Sequence, residues 1–177
     1  MSNIPNFEEN WFTYPGVYRR MVENCRPDGI LVELGAWKGR SSHFLVSKAK
    51  EKSPHISVHI VDTWLGSPEH SMEQTQNLYE KFLANMESLE GFYIAHRMTT
   101  SEAASLFDDG SLDGVFIDAD HTYEAVKKDI QNWMPKVRKG GIFAGHDYVS
   151  SWPGVIRAVD ELVHGFSTME ECWIKQC

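Results

Sequence analysis

Short apolar runs alternate with amphipathic stretches along most of the chain, and each run ends in glycine, acidic or hydroxyl residues. Residues 30–34, 58–62, 92–96, 112–117 and 142–144 have the length and apolar density of buried strands. Between them lie helical patterns. Residues 41–52 carry Phe44, Leu45 and Ala49 on one face, and the next stretch carries Leu78, Phe82, Leu83, Met86 and Leu89. Residues 102–107 read as a short helix. Tyr123, Val126, Ile130 and Trp133 mark another, which Pro135 should end. Pro153 suits the first turn of a last helix carrying Val155, Val159 and Leu162. Repeated strand–helix units predict an α/β fold, with a mostly parallel sheet covered by helices on both faces. Gly140 and Gly141 are expected to break the chain before the fifth strand. Residues 172–175 are expected to close the sheet at its edge, where a homodimer could form.

The length of 177 residues fits one domain over 1–177, with a lead helix over about residues 5–26. A net charge of −8 argues against a nucleic-acid partner, whose protein surfaces are usually basic. Cys25, Cys172 and Cys177 are odd in number and lack the spacing of a zinc site, which suits reduced thiols. No apolar run is long enough for a membrane span. The start, Met-Ser-Asn-Ile-Pro-Asn, lacks the basic and then apolar pattern of a secretory signal. The expectation is a cytoplasmic protein with no membrane partner.

In parallel sheets, ligands bind at the carboxyl ends of the strands, so the residues after each run carry the chemistry. After the first run stand Glu33, Gly35, Ala36, Trp37, Gly39, Ser41 and Ser42. Glycine admits close backbone approach, the following helix offers free N–H groups to a carboxylate, and Glu33 can hold an amine. A tight turn capped by serine is the structural alternative. After the second run, Asp62, with Thr63 and Trp64, is spaced to accept from ribose hydroxyls. After the third, Thr99, Thr100 and Ser101 can meet an adenine edge, or Thr100 or Ser101 can cap a helix. After the fourth come Asp118, Asp120 and His121, and after the fifth His146 and Asp147. This set can hold a divalent cation such as Mg²⁺, Mn²⁺ or Ca²⁺, or with its imidazoles iron or zinc. A hydrogen-bonded network ordering two loops is the structural alternative.

These motifs carry a resemblance. Val32-Glu33-Leu34-Gly35-Ala36-Trp37-Lys38-Gly39-Arg40-Ser41 resembles the first motif of S-adenosylmethionine-dependent O-methyltransferases of the catechol type. Val61-Asp62-Thr63-Trp64 resembles their ribose-binding segment, and Val115-Phe116-Ile117-Asp118 their fourth strand and metal aspartate. Asp118-Ala119-Asp120-His121-Thr122-Tyr123, with Gly145-His146-Asp147-Tyr148, is similar to the small class I methyltransferases of family 24.

The resemblance implies a single Rossmann-like methyltransferase domain. Its sheet would be seven-stranded and mostly parallel, flanked by helices, with an antiparallel C-terminal strand. It implies S-adenosylmethionine as cofactor and S-adenosylhomocysteine as product. Glu33, Gly35 and Ser41 would hold the methionine part, within a turn that includes Ala36, Trp37, Gly39 and Ser42. Asp62, with Thr63 and Trp64, would hold the ribose. Thr99, Thr100, Ser101, Ala119 and Asp120 would line the adenine, and Asp118 beside them would also meet the cofactor and take part in catalysis. Asp118 and Asp147 match metal positions. His146 replaces an aspartate of the catechol enzymes, and His121 replaces their proton-accepting lysine. The expected activity is O-methylation of a small-molecule acceptor, a sugar or diol, with Asp118, His146 and Asp147 on a cation and His121 as base. A metal-dependent hydroxylase or oxidoreductase on the same fold, and a non-catalytic cofactor-binding module, are the alternatives.

Overall fold

The computed structural model describes residues 5, 7, 11–67 and 71–177. Its elements run α1 (Pro15–Asn24), β1 (Ile30–Leu34), α2 (Arg40–Lys52), β2 (Ser57–Asp62), α3 (Met72–Thr75), α4 (Leu78–Met86), β3 (Ile94–Arg97), α5 (Thr100–Ala104), β4 (Leu112–Ile117), α6 (Tyr123–Trp133), β5 (Val137–Gly145), α7 (Pro153–Leu162), β6 (Ser167–Met169) and β7 (Cys172–Gln176). They form a seven-stranded sheet in the order β3-β2-β1-β4-β5-β7-β6. β1 to β5 pair in parallel, β7 is antiparallel to β5, and β6 is antiparallel to β7.

The central strands β1, β4 and most of β5 bury both faces, as their apolar runs require, while β3 and β6 at the two edges are partly exposed. One face packs under α1, α2 and α4 through Tyr18, Met21, Leu45 and Phe82. The other packs under α5, α6 and α7 through Ala103, Ile130, Trp133 and Val159. Near the opposite end from the site, buried Asp113 accepts from Arg26 and Arg138 and from the backbone N–H groups of Arg26 and Ile30. These contacts tie α1, β1 and β5 to β4, and they hold the Asp113 carboxyl down at about 2 despite burial.

Four sequence expectations change. The lead helix does not span 5–26: it begins at Pro15, because proline at its first turn favours a start there. Among the earlier residues, 5, 7 and 11–14 are non-helical, and the rest lie outside the described residues. Gly140 and Gly141 do not break the fifth strand. Gly140 takes φ 79° inside β5, a local irregularity that the strand absorbs. β7 is not the edge: β6, a strand without a clear sequence pattern, covers it. The cap of α5 is Thr99, one residue before the expected positions, in a reciprocal pairing with Glu102.

Register places the site. Leu34 pairs with Val61 and with Ile117, and Ile117 pairs with Gly145. The next residues, Gly35, Asp62, Asp118 and His146, therefore leave the sheet side by side. No helix among the described residues is long and apolar enough to cross a membrane.

Candidate active site

A cavity of about 870 Å³ opens along this rim. It is large enough for a nucleoside cofactor and a small acceptor together. Its wall includes Gly35, Ala36, Trp37, Ser41, Asp62, Thr63, Thr99, Thr100, Ser101, Asp118, Ala119, Asp120, His121, His146 and Asp147. One sequence pattern after another has thus delivered its polar residues to the same space.

Glu33, Gly39, Ser42 and Trp64 are not in that wall; they lie beneath it. By the period of two along β1, Glu33 shares a face with Leu31 and points under α1 and α2. It is fully buried, accepting from Tyr18 Oη at 2.6 Å and from Ser42 Oγ. Burial raises its carboxyl to about 7 against the pull of Ser41, Ser42 and Tyr18. Gly39 packs on Phe82, and Trp64 donates to Trp37 O at 3.0 Å while packing on Tyr79 and Phe82.

Glu33 gives a test of stability. Its carboxyl is raised above the unfolded value, so ionisation costs nothing below about pH 4.5 and about 3 kcal/mol once pH passes about 7. Glu33→Gln removes that penalty. Urea unfolding should show the variant gaining on the native chain between pH 5 and pH 8, and a gain independent of pH would reject the assignment.

Asp62 fastens the first turn to β2. Its Oδ2 accepts from the N–H groups of Ala36 (2.8 Å) and Trp37 (3.0 Å), and its Oδ1 from Trp64 N–H (2.7 Å). Asp120 Oδ1 accepts from Thr122 N–H at 2.7 Å, turning the chain into α6. Trp37, Trp64, Asp147 and Glu171 all hold positive φ without being glycine. Such conformations are unfavourable for these side chains and concentrate at functional rims.

The acidic and imidazole groups converge at the other end of the cavity. Asp118, His121 and Asp147 offer donor atoms that all lie within 4.8 Å of one another. His121 Nε2 is 2.8 Å from Asp147 Oδ2 and 3.7 Å from Asp118 Oδ1, and its ring stacks on Trp152. His146 Nδ1 is 3.3 Å from Asp147 Oδ2 and 3.6 Å from Asp118 Oδ1. Its Nε2 faces Thr13 Oγ1 at 3.5 Å and Glu171 at 4.0 Å. Both imidazoles thus lie against the same two carboxylates, and Asp118, His121 and Asp147 offer one compact donor set. Burial works against charge on all four groups, but their mutual contacts outweigh it. Asp118 is held well below the usual carboxylate range, Asp147 is lowered, and both imidazoles rise to about 10.

Several wall residues have no motif behind them. Phe12, Thr13 and Tyr14 come from the segment before α1, and Tyr14 Oη donates to Asp118 Oδ2 at 2.5 Å. Pro15 signals that helix start, but nothing in the sequence aims Tyr14 at Asp118. Asp129 was findable: it is a carboxylate on the apolar stripe of α6, between Val126 and Ile130. Trp152 and Glu171 also line the cavity. Tyr148, which closes the Gly145-His146-Asp147-Tyr148 motif, is not in the wall and donates to Asp160.

The family model Methyltransf_24, described as a methyltransferase domain, matches residues 32–148. The chain belongs to this family, whose fold here is that of class I S-adenosylmethionine-dependent methyltransferases. It is similar to the uncharacterized protein y4gI of Sinorhizobium fredii (strain NBRC 101917 / NGR234), at 28% identity over 152 residues and 82% of this chain. The chain spans 16% of the length of that relative. Among solved structures it resembles the O-methyltransferase NovP, with TM-score 0.72 and 19% identity over 93% of this chain and 79% of the other. It also resembles CalS11, a TDP-rhamnose 3'-O-methyltransferase of calicheamicin biosynthesis, with TM-score 0.65 and 15% identity over 92% and 76%. A third likeness is an O-methyltransferase from Bacillus cereus in complex with SAH, with TM-score 0.67 and 13% identity over 97% and 83%.

Proposed function

We propose that this chain transfers the methyl group of S-adenosylmethionine to a hydroxyl oxygen of a small molecule, a sugar or a diol, with help from a divalent cation such as Mg²⁺ or Mn²⁺. The observation that carries this reading is one cavity whose wall holds both the Gly35 turn and the Asp118, His121 and Asp147 cluster. Oxygen as the acceptor atom, and a sugar among the acceptors, are supported by the O-methyltransferases that the fold resembles. The net charge of −8 disfavours a nucleic-acid acceptor.

In this reading Gly35, Ala36, Trp37 and Ser41 hold the methionine end, and Asp62 and Thr63 stand at the ribose. Thr99, Thr100, Ser101, Ala119 and Asp120 line the adenine. Glu33, Gly39, Ser42 and Trp64 act from below by fixing the turn. Asp118, His121 and Asp147 supply two carboxylate oxygens and one imidazole nitrogen, a donor set that fits an oxygen-preferring cation. A cation bound there would supply Lewis-acid polarisation of the acceptor hydroxyl.

In this reading the two histidines exchange the roles that the resemblance implied, His121 joining the cation set and His146 acting as base. His121 stands among the carboxylates, with its ring fixed on Trp152. His146 turns Nδ1 to the carboxylates and Nε2 to Thr13 and Glu171 of the cavity wall, the arrangement of a base oriented by an acid. An imidazolium accepts no proton, so His146 acts as base only when the carboxylate charge that holds it protonated is compensated from elsewhere. Phe12 and Trp11 add apolar surface to the wall, and holding acceptor oxygen and methyl group in line would supply much of the rate.

Calorimetry with S-adenosylhomocysteine is expected to show one site in the micromolar range. Adding Mg²⁺ or Mn²⁺ at neutral pH is expected to release protons as the imidazoles give theirs up. A folded chain that binds no S-adenosylhomocysteine overturns the cofactor assignment. Cofactor binding without any cation effect on proton release or turnover overturns the cation.

A further inference from the structure

Asp129 is a buried carboxylate that the proposed chemistry leaves unused. It lies on the inward stripe of α6, is 4% exposed, and lines the cavity at the end formed by Met98, Thr99, Thr100 and Ser101. Thr100 Oγ1 donates to Asp129 Oδ1 at 2.6 Å, and Trp133 Nε1 donates to Thr100 O at 3.1 Å, so the carboxylate is held in one orientation. A strut between α5 and α6 would need only a neutral acceptor for the Thr100 hydroxyl. Here a full carboxylate is kept against a desolvation cost that lifts it to about 6, with Asp120 adding to the rise. The Thr100 hydroxyl already donates to one of its oxygens, and an ionised carboxylate can only accept hydrogen bonds. Its ligand must therefore present a donor.

We propose that Asp129 recognises the exocyclic amine of the cofactor's purine and is the residue that selects adenine. This rests on the S-adenosylmethionine reading. The purine's ring nitrogens there are acceptors, and its amine is the one group that complements a carboxylate. A purine with a carbonyl in place of the amine would set oxygen against oxygen at that position, with its one new donor, N1–H, displaced to the neighbouring ring atom, and an unpaired buried polar group is how a site rejects a near-isosteric ligand.

The test compares S-adenosylhomocysteine with S-inosylhomocysteine, its 6-oxo analogue, by calorimetry on the native chain and on Asp129→Asn. The asparagine keeps an acceptor for Thr100, while its amide can donate to a carbonyl. The native chain is expected to prefer the adenosyl compound by about a hundredfold, and the variant to lose most of that ratio, to about fivefold or less. A strut alone would weaken both ligands equally, so an unchanged ratio in the variant overturns the proposal. Should the variant fold poorly, the N6,N6-dimethyl analogue on the native chain decides: binding as tight as the parent compound overturns the proposal, and a large loss supports it. A native chain that binds none of these ligands overturns the cofactor reading itself. Binding of the adenosyl compound without discrimination overturns only the role of Asp129.

Discussion

Replacing Asp118 by asparagine is expected to lower methyl transfer on the order of a thousandfold while leaving the fold intact. Asp118 follows β4 at the centre of the rim, and its two oxygens have different partners. Oδ2 accepts from Tyr14 Oη, and Oδ1 faces both imidazoles. Asparagine keeps the volume and an acceptor for Tyr14 but removes the charge. At neutral pH the variant should lose about 1–3 kcal/mol, because His121 and His146 lose a carboxylate partner, and Asp118→Ala should cost more, since it also leaves the Tyr14 hydroxyl buried without an acceptor. Charge removal also has a signature independent of turnover. With one carboxylate fewer, His121 and His146 should titrate at lower pH than in the native chain without added cation, which NMR of the imidazole protons would follow. S-adenosylhomocysteine should bind both chains with affinities within about threefold, since the bulk of its expected contacts lie elsewhere. An asparagine variant with native, cation-stimulated turnover would reject the cluster as the reacting centre.

Most of the sheet was legible because its central strands are buried on both faces. The runs at 30–34, 58–62 and 112–117 leave little choice of structure once glycine or acid punctuates them. What was missed lies where local pattern and tertiary need part company. β6 has three residues, of which Ser167 and Thr168 are exposed, and forms only because β7 offers it an edge. Gly140 looks like a break, and pairing is in fact interrupted there. β4 partners Val137 and then Ile142, pairing with β7 starts at Ile142, and the positive φ of Gly140 lies in the bulge between, within one continuous β5.

The site shows the same division. Residues that follow strands, such as Asp62, Asp118 and His146, were readable because register brings all strand ends to one rim. Their orientations were not. Alternation along β1 turns Glu33 into the core, where Tyr18 and Ser42 meet it, although its place in the motif suggests a ligand for an amine. Tyr14, Trp152 and Glu171 reach the cavity through long-range packing that no local spacing encodes. Asp129 announced itself as a carboxylate on an apolar face, the kind of local inconsistency that marks function.

The turn at Gly35 should be the least tolerant position in the chain. Gly35 holds φ +87°, and a Cβ built on it would fall 1.8 Å from the backbone oxygen of Asp118 and 2.9 Å from Ala119 Cα. Two constraints coincide there. The left-handed backbone disfavours any side chain by about 1–2 kcal/mol. The contact is with backbone, so relief requires β1 and β4 to separate at the rim, where Leu34 and Asp118 are joined by a 2.8 Å hydrogen bond. Gly91 separates the two effects: its φ is +82°, and a Cβ there would meet nothing within 4 Å. Gly91→Ala should therefore cost only the backbone term, about 1–2 kcal/mol, and leave cofactor affinity unchanged. Gly35→Ala should cost at least about 4 kcal/mol and abolish S-adenosylhomocysteine binding, because the overlap splays the turn away from Asp62 and Asp118 together. Denaturant unfolding and calorimetry on both variants would measure the difference. Equal costs at the two glycines would mean that the close approach of the first turn to β4 does not set the geometry of the cavity.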